Sequence, residues 1–164
     1  MYCPNEWHDS VSKHKTLSEL QQAWKNVFEK TSGRGLKYKL MFTGGEVTAN
    51  KSFLPLIEYL RSNDFNIGQL IVTTNGSASK AYYLRLAELV DSISFSTHTE
   101  FWNEHKFFDT VIAINQVMIR PEKSIHVNIM DEPEARHRQQ DFLSILDEHN
   151  ISSSINKINY DQAQ

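Results

Sequence analysis

Residues 38–46 read Tyr-Lys-Leu-Met-Phe-Thr-Gly-Gly-Glu and combine a strand pattern with a turn pattern. A short apolar run over 38–42 that stops at two glycines is typical of a buried strand closed by a tight turn. Adjacent glycines expose backbone amides and permit close approach of a ligand, and the carboxylate of Glu46 directly behind them could hold an ammonium group. A tight turn followed by a solvated glutamate is the alternative interpretation of these three residues.

Helical and strand patterns alternate outward from this stretch along almost the whole chain. Thr16 and Glu19 have the spacing of a capping box, which predicts that the first helix begins there, and the glycines at 33 and 35 predict its end. Strands are predicted at 38–42, 70–72, 92–96, 125–130 and 151–158. Helices are predicted along the apolar stripes Leu17 to Phe28, Phe53 to Leu60, Tyr82 to Leu89, Phe108 to Ile119 and Phe142 to Leu146, the last opened by Pro133.

This alternation predicts an α/β fold with parallel strands and covering helices. We expect residues 1–164 to form a single domain, a partial (β/α) TIM-like barrel. The order begins with a helix, whereas such folds begin with a strand, so the sequence predicts that the first strand is missing. On this interpretation the domain is truncated at its N-terminus, and its C-terminus is also a candidate for incompleteness.

Composition excludes several classes of protein. Hydrophobic residues make up 40% and charged residues 23% of the 164, which is typical of a globular domain. No run approaches the roughly 18 apolar residues of a membrane span, so no membrane is expected. The net charge is −3 without a block of like charge, so no nucleic acid is indicated as a partner. The single cysteine, Cys3, excludes an internal disulfide and favours a cytoplasmic protein.

Polar or glycine-rich residues follow four of the predicted strands. In parallel α/β folds ligands bind at the carboxyl ends of strands, so these segments are the candidates for a binding site. They are residues 43–46, 73–76, 96–100 and 128–132.

Three of these features together resemble the radical S-adenosylmethionine (radical SAM) superfamily: the pair Tyr2-Cys3, residues 42–46 and residues 73–76. In that family a CxxxCxxC loop after the first strand binds a 4Fe-4S cluster, an aromatic residue commonly precedes the third cysteine, and Gly-Gly-Glu ends the second strand. About 40 residues separate Cys3 from Gly44, a plausible length for one loop, one helix and one strand. The resemblance runs nearly end to end.

The resemblance implies a role for each matching residue of the two motifs. Cys3 resembles the third ligand of the cluster, and Tyr2 resembles the aromatic residue beside the adenine. Gly44, Gly45 and Glu46 resemble the segment that holds the methionyl amino group.

Other roles rest on position alone. Ser96 resembles the residue that contacts the ribose or the methionyl carboxylate, and Ile129 resembles the apolar residue packed against adenine. A strand-end hydrogen bond for Ser96 and plain packing for Ile129 are the alternatives. Asn75 either faces the cofactor or takes the turn conformation. His98 either donates a hydrogen bond to a substrate or lies in a solvated loop.

The function implied by the resemblance is that of an enzyme. It would bind a 4Fe-4S cluster and S-adenosyl-L-methionine and take an electron from a donor such as flavodoxin or ferredoxin. It would then generate a 5′-deoxyadenosyl radical that abstracts hydrogen from an unknown substrate. Three thiolates leave one iron open for the cofactor. The first two cysteines of the motif are absent, so we expect this chain alone to be inactive.

Two other interpretations stay open. A degenerate, non-catalytic α/β module would bind an adenosyl or nucleotide ligand, or a protein partner, without chemistry. A flavodoxin-like nucleotide-binding sheet is less favoured because neither GxGxxG nor a P-loop is present.

Two further stretches carry predictions of their own. The acidic residues 131–134 with His137 have a spacing compatible with a metal site, but a helix that begins at Pro133 explains them better, and Arg136 to Arg138 are predicted to form a solvated helix face. With the first strand missing, the apolar residues of 38–42 are expected to be exposed at an open edge of the sheet.

Overall fold

The fold is built on an all-parallel sheet whose strands follow one another in chain order, β1-β2-β3-β4-β5. The computed structural model describes residues 14–97, 102–133 and 135–157. The strands are β1 (Tyr38–Phe42), β2 (Ile67–Thr74), β3 (Ser92–Thr97), β4 (Ser124–Met130) and β5 (Ser152–Asn156). The helices are α1 (Leu17–Thr31), α2 (Phe53–Ser62), α3 (Lys80–Leu89), α4 (Glu104–Val117) and α5 (Gln139–Glu148).

The predicted α/β class with parallel strands is confirmed. Each pair of consecutive strands is parallel, and a helix connects each strand to the next. This arrangement is compatible with a partial β/α barrel. Within the described residues the sheet does not close, because β1 pairs only with β2 and β5 pairs only with β4.

Side-chain caps begin three of the helices, the first of them at the predicted Thr16. The hydroxyl of Thr16 accepts a hydrogen bond from the backbone N–H of Glu19 at 3.3 Å, and the Glu19 carboxylate accepts one from the Thr16 N–H at 2.7 Å. This capping box also lowers the pKa of Glu19, first through its backbone hydrogen bond to Thr16. The side chains of Ser79 and Asn103 cap α3 and α4 by accepting the N–H of the residue three positions later, without the reciprocal bond of a capping box. The caps satisfy N–H groups that a helix leaves without partners.

Two predicted helix ends are wrong. The fourth helix stops at Val117, before Ile119, whose side chain is 79% exposed and so gains nothing from the helix. The fifth helix begins at Gln139, six residues after Pro133. A turn and a single 3-10 helix over Arg136–Arg138 occupy the interval, because the chain must first cross the end of β4.

Two strand limits also differ from the prediction. β2 begins at Ile67, earlier than predicted, because the N–H of Tyr38 bonds to the carbonyl of Asn66 at 3.0 Å and extends the pairing with β1. β5 begins after Ile151, which is buried in the core. Ile158, the last residue of the predicted strand, lies outside the described residues.

The two faces of the sheet differ in chemistry because successive side chains of a strand point to opposite sides. One face packs against the helices and forms the core, with Val72, Phe95 and Val127 fully buried. The other face points away from the helix layer and is polar over β3 to β5. We call this side the polar sheet face and define it by Ser94, Ser96, His126, Asn128, Ser154 and Asn156.

The edge strand β1 exposes apolar surface, as predicted. Met41 is 63% exposed, while Leu40 and Phe42 are half-buried against the core.

No helix among the described residues has the length and apolar character needed to cross a membrane.

An ion pair ties the elements together at the amino end of the sheet. Arg61 pairs with Asp91 and donates through Nε to the carbonyl of Leu89 at 2.6 Å. Asp91 also accepts the backbone N–H of Leu70 at 2.7 Å. These contacts join α2, β2 and the segment before β3. They lie at the amino end of the sheet, opposite the carboxyl ends of the strands.

Candidate functional site

The glycine pair after β1 reverses the chain. Gly44 has φ +89° and Gly45 has φ +51°, a left-handed conformation that residues with a side chain rarely adopt. The turn returns Glu46 to the carboxyl end of β2. There its carboxylate caps a single 3-10 turn over Val47–Ala49.

The carboxylate of Glu46 is held by four hydrogen bonds. Oε1 accepts the N–H of Thr48 at 3.0 Å, the hydroxyl of Thr48 at 2.6 Å and the hydroxyl of Thr74 at 2.8 Å. Oε2 accepts the N–H of Asn75 at 2.7 Å. A solvated glutamate is therefore the wrong description. Each carboxylate oxygen offers about two acceptor positions. Oε1 already receives three donors, whereas Oε2 receives one, so Oε2 is the oxygen that can accept a further hydrogen bond.

A buried relay of hydroxyls supports Glu46 from β2 and α3. Thr74 gives its proton to Glu46, so the phenol of Tyr83 must donate to the Thr74 oxygen, at 2.7 Å. Thr74 is 2% exposed and Tyr83 is fully buried. Burial raises the pKa of Tyr83, which keeps its donating proton in place at neutral pH.

The turn after β2 uses the side chain of Asn75. Its Oδ1 accepts the N–H of Ser77 at 2.9 Å, an Asx-type contact that shapes the turn, while its own N–H binds Glu46. The side-chain oxygen of Asn75 therefore stabilises the turn, as one of the two interpretations expects. Contact of Asn75 with a cofactor stays a prediction. Gly76 follows with φ +78°, and a Cβ there would lie 2.9 Å from the ring of Phe107.

Ser96 lies near the carboxyl end of β3 on the polar sheet face, in register with Asn128 of β4. Both side chains are half-buried. Asn128 belongs to the candidate segment 128–132, but no local motif gives it a role of its own. The alternation with Ile125, Val127 and Ile129 was the available signal, because it places Asn128 on the side opposite the apolar residues.

Ile129 lies on the opposite side of β4 from Asn128. It is 1% exposed and belongs to the core that the helices cover. Packing accounts for this position, the alternative that the sequence had left open. The contact of Ile129 with adenine that the resemblance implies stays a prediction.

Three of the predicted site residues, Tyr2, Cys3 and His98, lie outside the described residues. Within residues 14–97, 102–133 and 135–157, no three histidine, cysteine, aspartate or glutamate side chains are grouped so as to hold a metal.

The acidic segment after β4 is occupied by ion pairs and hydrogen bonds. Asp131 accepts from Arg136 at 2.7 Å and from Gln139 at 3.0 Å, and the bond to Arg136 lowers the pKa of Asp131. Arg138 pairs with Glu104 of α4. The predicted solvated face is therefore partly an ion-paired one, and Asp131 stabilises the turn before α5.

Comparison with known proteins yields a similarity of fold. No protein-family model matches the chain, and no curated protein matches it. Among solved structures, the crystal structure of Streptococcus suis SuiB superposes on 91% of this chain with a TM-score of 0.64 at 15% sequence identity. The chain spans 35% of that protein's length. At this identity the similarity shows the α/β architecture.

Proposed function

We propose that this chain is the core of a radical SAM enzyme. One observation supports the proposal above the others: residues 44–46, Asn75 and Ser96 lie at the carboxyl ends of three neighbouring parallel strands, with Glu46 bonded directly to the Asn75 backbone. Ligands of parallel α/β folds bind at this edge. The sequence order of these motifs is the order that the family resemblance requires.

The described residues offer suitable chemistry for S-adenosylmethionine. Oε2 of Glu46 has acceptor capacity left for the methionyl ammonium group, and the glycine pair leaves room for it beside the backbone. The hydroxyl of Ser96 can donate to a ribose oxygen. Each group is held by a strand end, so the cofactor would meet a rigid binding edge.

Binding of the 4Fe-4S cluster requires cysteine ligands. Of the three thiolates that the family motif uses, these 164 residues contain one, Cys3. When bound, the cluster would supply the electron that cleaves a carbon–sulfur bond of S-adenosylmethionine. The part of the chain from Gly44 to Ser96 would bind and orient the cofactor and exclude water from it.

The reading frame upstream of Met1 gives a decisive first test. The proposal expects in-frame cysteines three and seven residues before Cys3, as CxxxCxxC requires. Their absence would refute the catalytic proposal for this gene product.

Anaerobic reconstitution of the complete chain, which carries the upstream cysteines that the first test looks for, with iron and sulfide gives the second test. We expect iron–sulfur absorbance and binding of S-adenosylmethionine, measured by calorimetry. Ser96→Ala should weaken binding about fivefold, the effect of one hydrogen bond. The control Ser124→Ala removes a hydroxyl from the same face of the sheet, four residues or about 13 Å along the strands from the level of Ser96, and should leave the affinity unchanged.

A non-catalytic binding module is the second candidate, and the geometry of Glu46 favours it. Four donors within the protein already hold this carboxylate, so it has a structural role without any ligand. A colourless protein that still binds S-adenosylmethionine would establish this function in place of the enzyme.

A further inference from the structure

The polar sheet face is organised around the side-chain amide of Asn128. Its Oδ1 accepts from two residues of β5, Ser154 at 3.2 Å and Asn156 at 2.8 Å. Its Nδ2 donates to Ser94 of β3 at 2.8 Å. One side chain thus connects three strands.

These contacts set the orientation of the amide. Two donors from β5 fill both lone pairs of the Asn128 oxygen, so the NH2 group must face β3. His126 reinforces the arrangement. Because Ser154 gives its proton to Asn128, Nε2 of His126 must donate to Ser154, and Nδ1 then accepts from Ser152 at 2.9 Å. The network leaves the donor side of Asn128 in one fixed direction.

Two hydrogen-bond donors on this side have no partner among the described residues. The NH2 group of Asn128 uses one N–H for Ser94, so its second N–H remains. The hydroxyl of Ser96 has none either. The two residues are in register on adjacent strands, whose spacing is about 4.8 Å, so one ligand atom can reach both.

The charge of the face restricts which atom that is. None of the six residues of the polar sheet face is an acid, a lysine or an arginine. Among the strand residues on this side, the lysine is Lys39 on β1, which lies about 10 Å from β3 across the sheet and, by register, six residues or about 20 Å before Ser96 along it. An anion held against uncharged donors would lose its hydration without gaining a counter-charge, whereas a neutral oxygen would not.

We propose that Asn128 and Ser96 form a two-donor site for an uncharged oxygen of a bound ligand, a carbonyl or a hydroxyl oxygen. The proposal rests on the proposed function only in placing the ligand over the polar sheet face. A ribose contact of Ser96 is what the family resemblance implies, and the new element is the second donor, Asn128, beside it. The uncharged oxygen has two possible sources, the carbonyl group of a substrate and the ribose of an adenosyl cofactor. Because the amide is already fixed before binding, the contact carries little ordering cost.

Nuclear magnetic resonance of the 15N-labelled chain tests the site with three probes. N-methylacetamide supplies a neutral carbonyl, 5′-methylthioadenosine supplies ribose hydroxyls, and acetate supplies an anion. We expect one neutral probe to shift the Asn128 side-chain N–H proton saturably. The probe that does so identifies the source of the oxygen.

Asn128→Asp is the discriminating variant. It keeps the acceptor for Ser154 and Asn156, replaces the NH2 donor by an oxygen that carries negative charge, and so turns the donor side of the site into an acceptor. Followed through the backbone amide of Ser96, affinity for the neutral probe should fall at least about fivefold. Should this variant fail to fold, Ser96→Ala tests the second donor with the same expected loss, while the control Ser124→Ala should bind normally.

Three results would overturn the site: no saturable shift with either neutral probe, tighter binding of acetate, or unchanged affinity in both Asn128→Asp and Ser96→Ala. None of these probes needs the cluster or the methionyl group. A failure of the radical SAM proposal, such as missing upstream cysteines, therefore leaves this measurement interpretable by itself.

Discussion

Glu46→Gln separates the structural role of this carboxylate from a role in binding a ligand. The glutamine oxygen can replace Oε1 and keep the donors from Thr48 and Thr74. Its NH2 group then faces the N–H of Asn75, so two donors meet where a hydrogen bond of 2.7 Å existed. Rotating the amide would instead place the NH2 group against three donors. The first orientation is the less costly one.

The expected cost follows from that single lost contact. A hydrogen bond to a charged group contributes roughly 1.5–3 kcal/mol, and Glu46 is half-buried, so we expect a loss of about 2 kcal/mol in the free energy of unfolding. For a domain of this size that corresponds to a melting temperature lower by roughly 4–8 °C. Urea unfolding followed by tryptophan fluorescence measures the free energy directly.

Matched variants make this prediction refutable. Glu29→Gln changes an exposed residue of α1 and should shift the free energy by less than about 0.5 kcal/mol. Thr74→Val removes the hydroxyl that donates to Glu46, a bond that the glutamine oxygen keeps, so the losses of the two single variants should add to within about 0.5 kcal/mol in the double variant. If Glu46→Gln unfolds at the urea concentration of the wild type, the carboxylate does not hold the two loops together.

Three other perturbations address the turn after β2, the amino edge and the tyrosines. Gly76→Ala should lower the free energy of unfolding in urea by about 2–4 kcal/mol, because it adds a side chain at φ +78° and against a phenyl ring. The control Gly33→Ala has open space around it and should change stability by less than about 1 kcal/mol. Equal effects of the two variants would contradict this prediction. Asp91→Ala should cost about 2–4 kcal/mol, because it strands Arg61 and a backbone N–H of β2, and a loss below about 0.5 kcal/mol would mean that the pair stabilises nothing. Burial, then the neighbouring tyrosine and the Glu46 carboxylate, raise the pKa of Tyr82 to about 12. The folded state therefore keeps this proton longer than the unfolded chain, so stability should fall as pH rises from about 10 towards 12, and Tyr82→Phe should show a smaller drop in melting temperature over that interval.

Much of the fold is predictable because it is written in short-range patterns. The apolar run over 38–42 and the alternation in 92–97 and 124–130 lie within single strands, and the caps at Thr16 and Ser79 act within one helical turn. Parallel order then follows from a helix between every two strands.

The wrong helix limits have a longer-range cause. Where α5 begins depends on Asp131, which bonds to Arg136 and Gln139 and holds a separate turn in front of the helix. Proline at a possible first turn gives the same local signal whether or not such a turn intervenes. Only the position of the end of β4 selects between the two.

Local patterns in the sequence fix the α/β class of the fold and predict the carboxyl ends of the strands as the edge for a ligand, together with the residues near that edge. Which atoms of those residues still have hydrogen-bonding capacity depends on contacts between distant segments. Glu46 and Thr74 are 28 residues apart, and Asn128 contacts Ser94 and Asn156 from different strands. Such partners are set by the register between strands, which no local pattern encodes, whereas periodicity and caps are properties of a single segment.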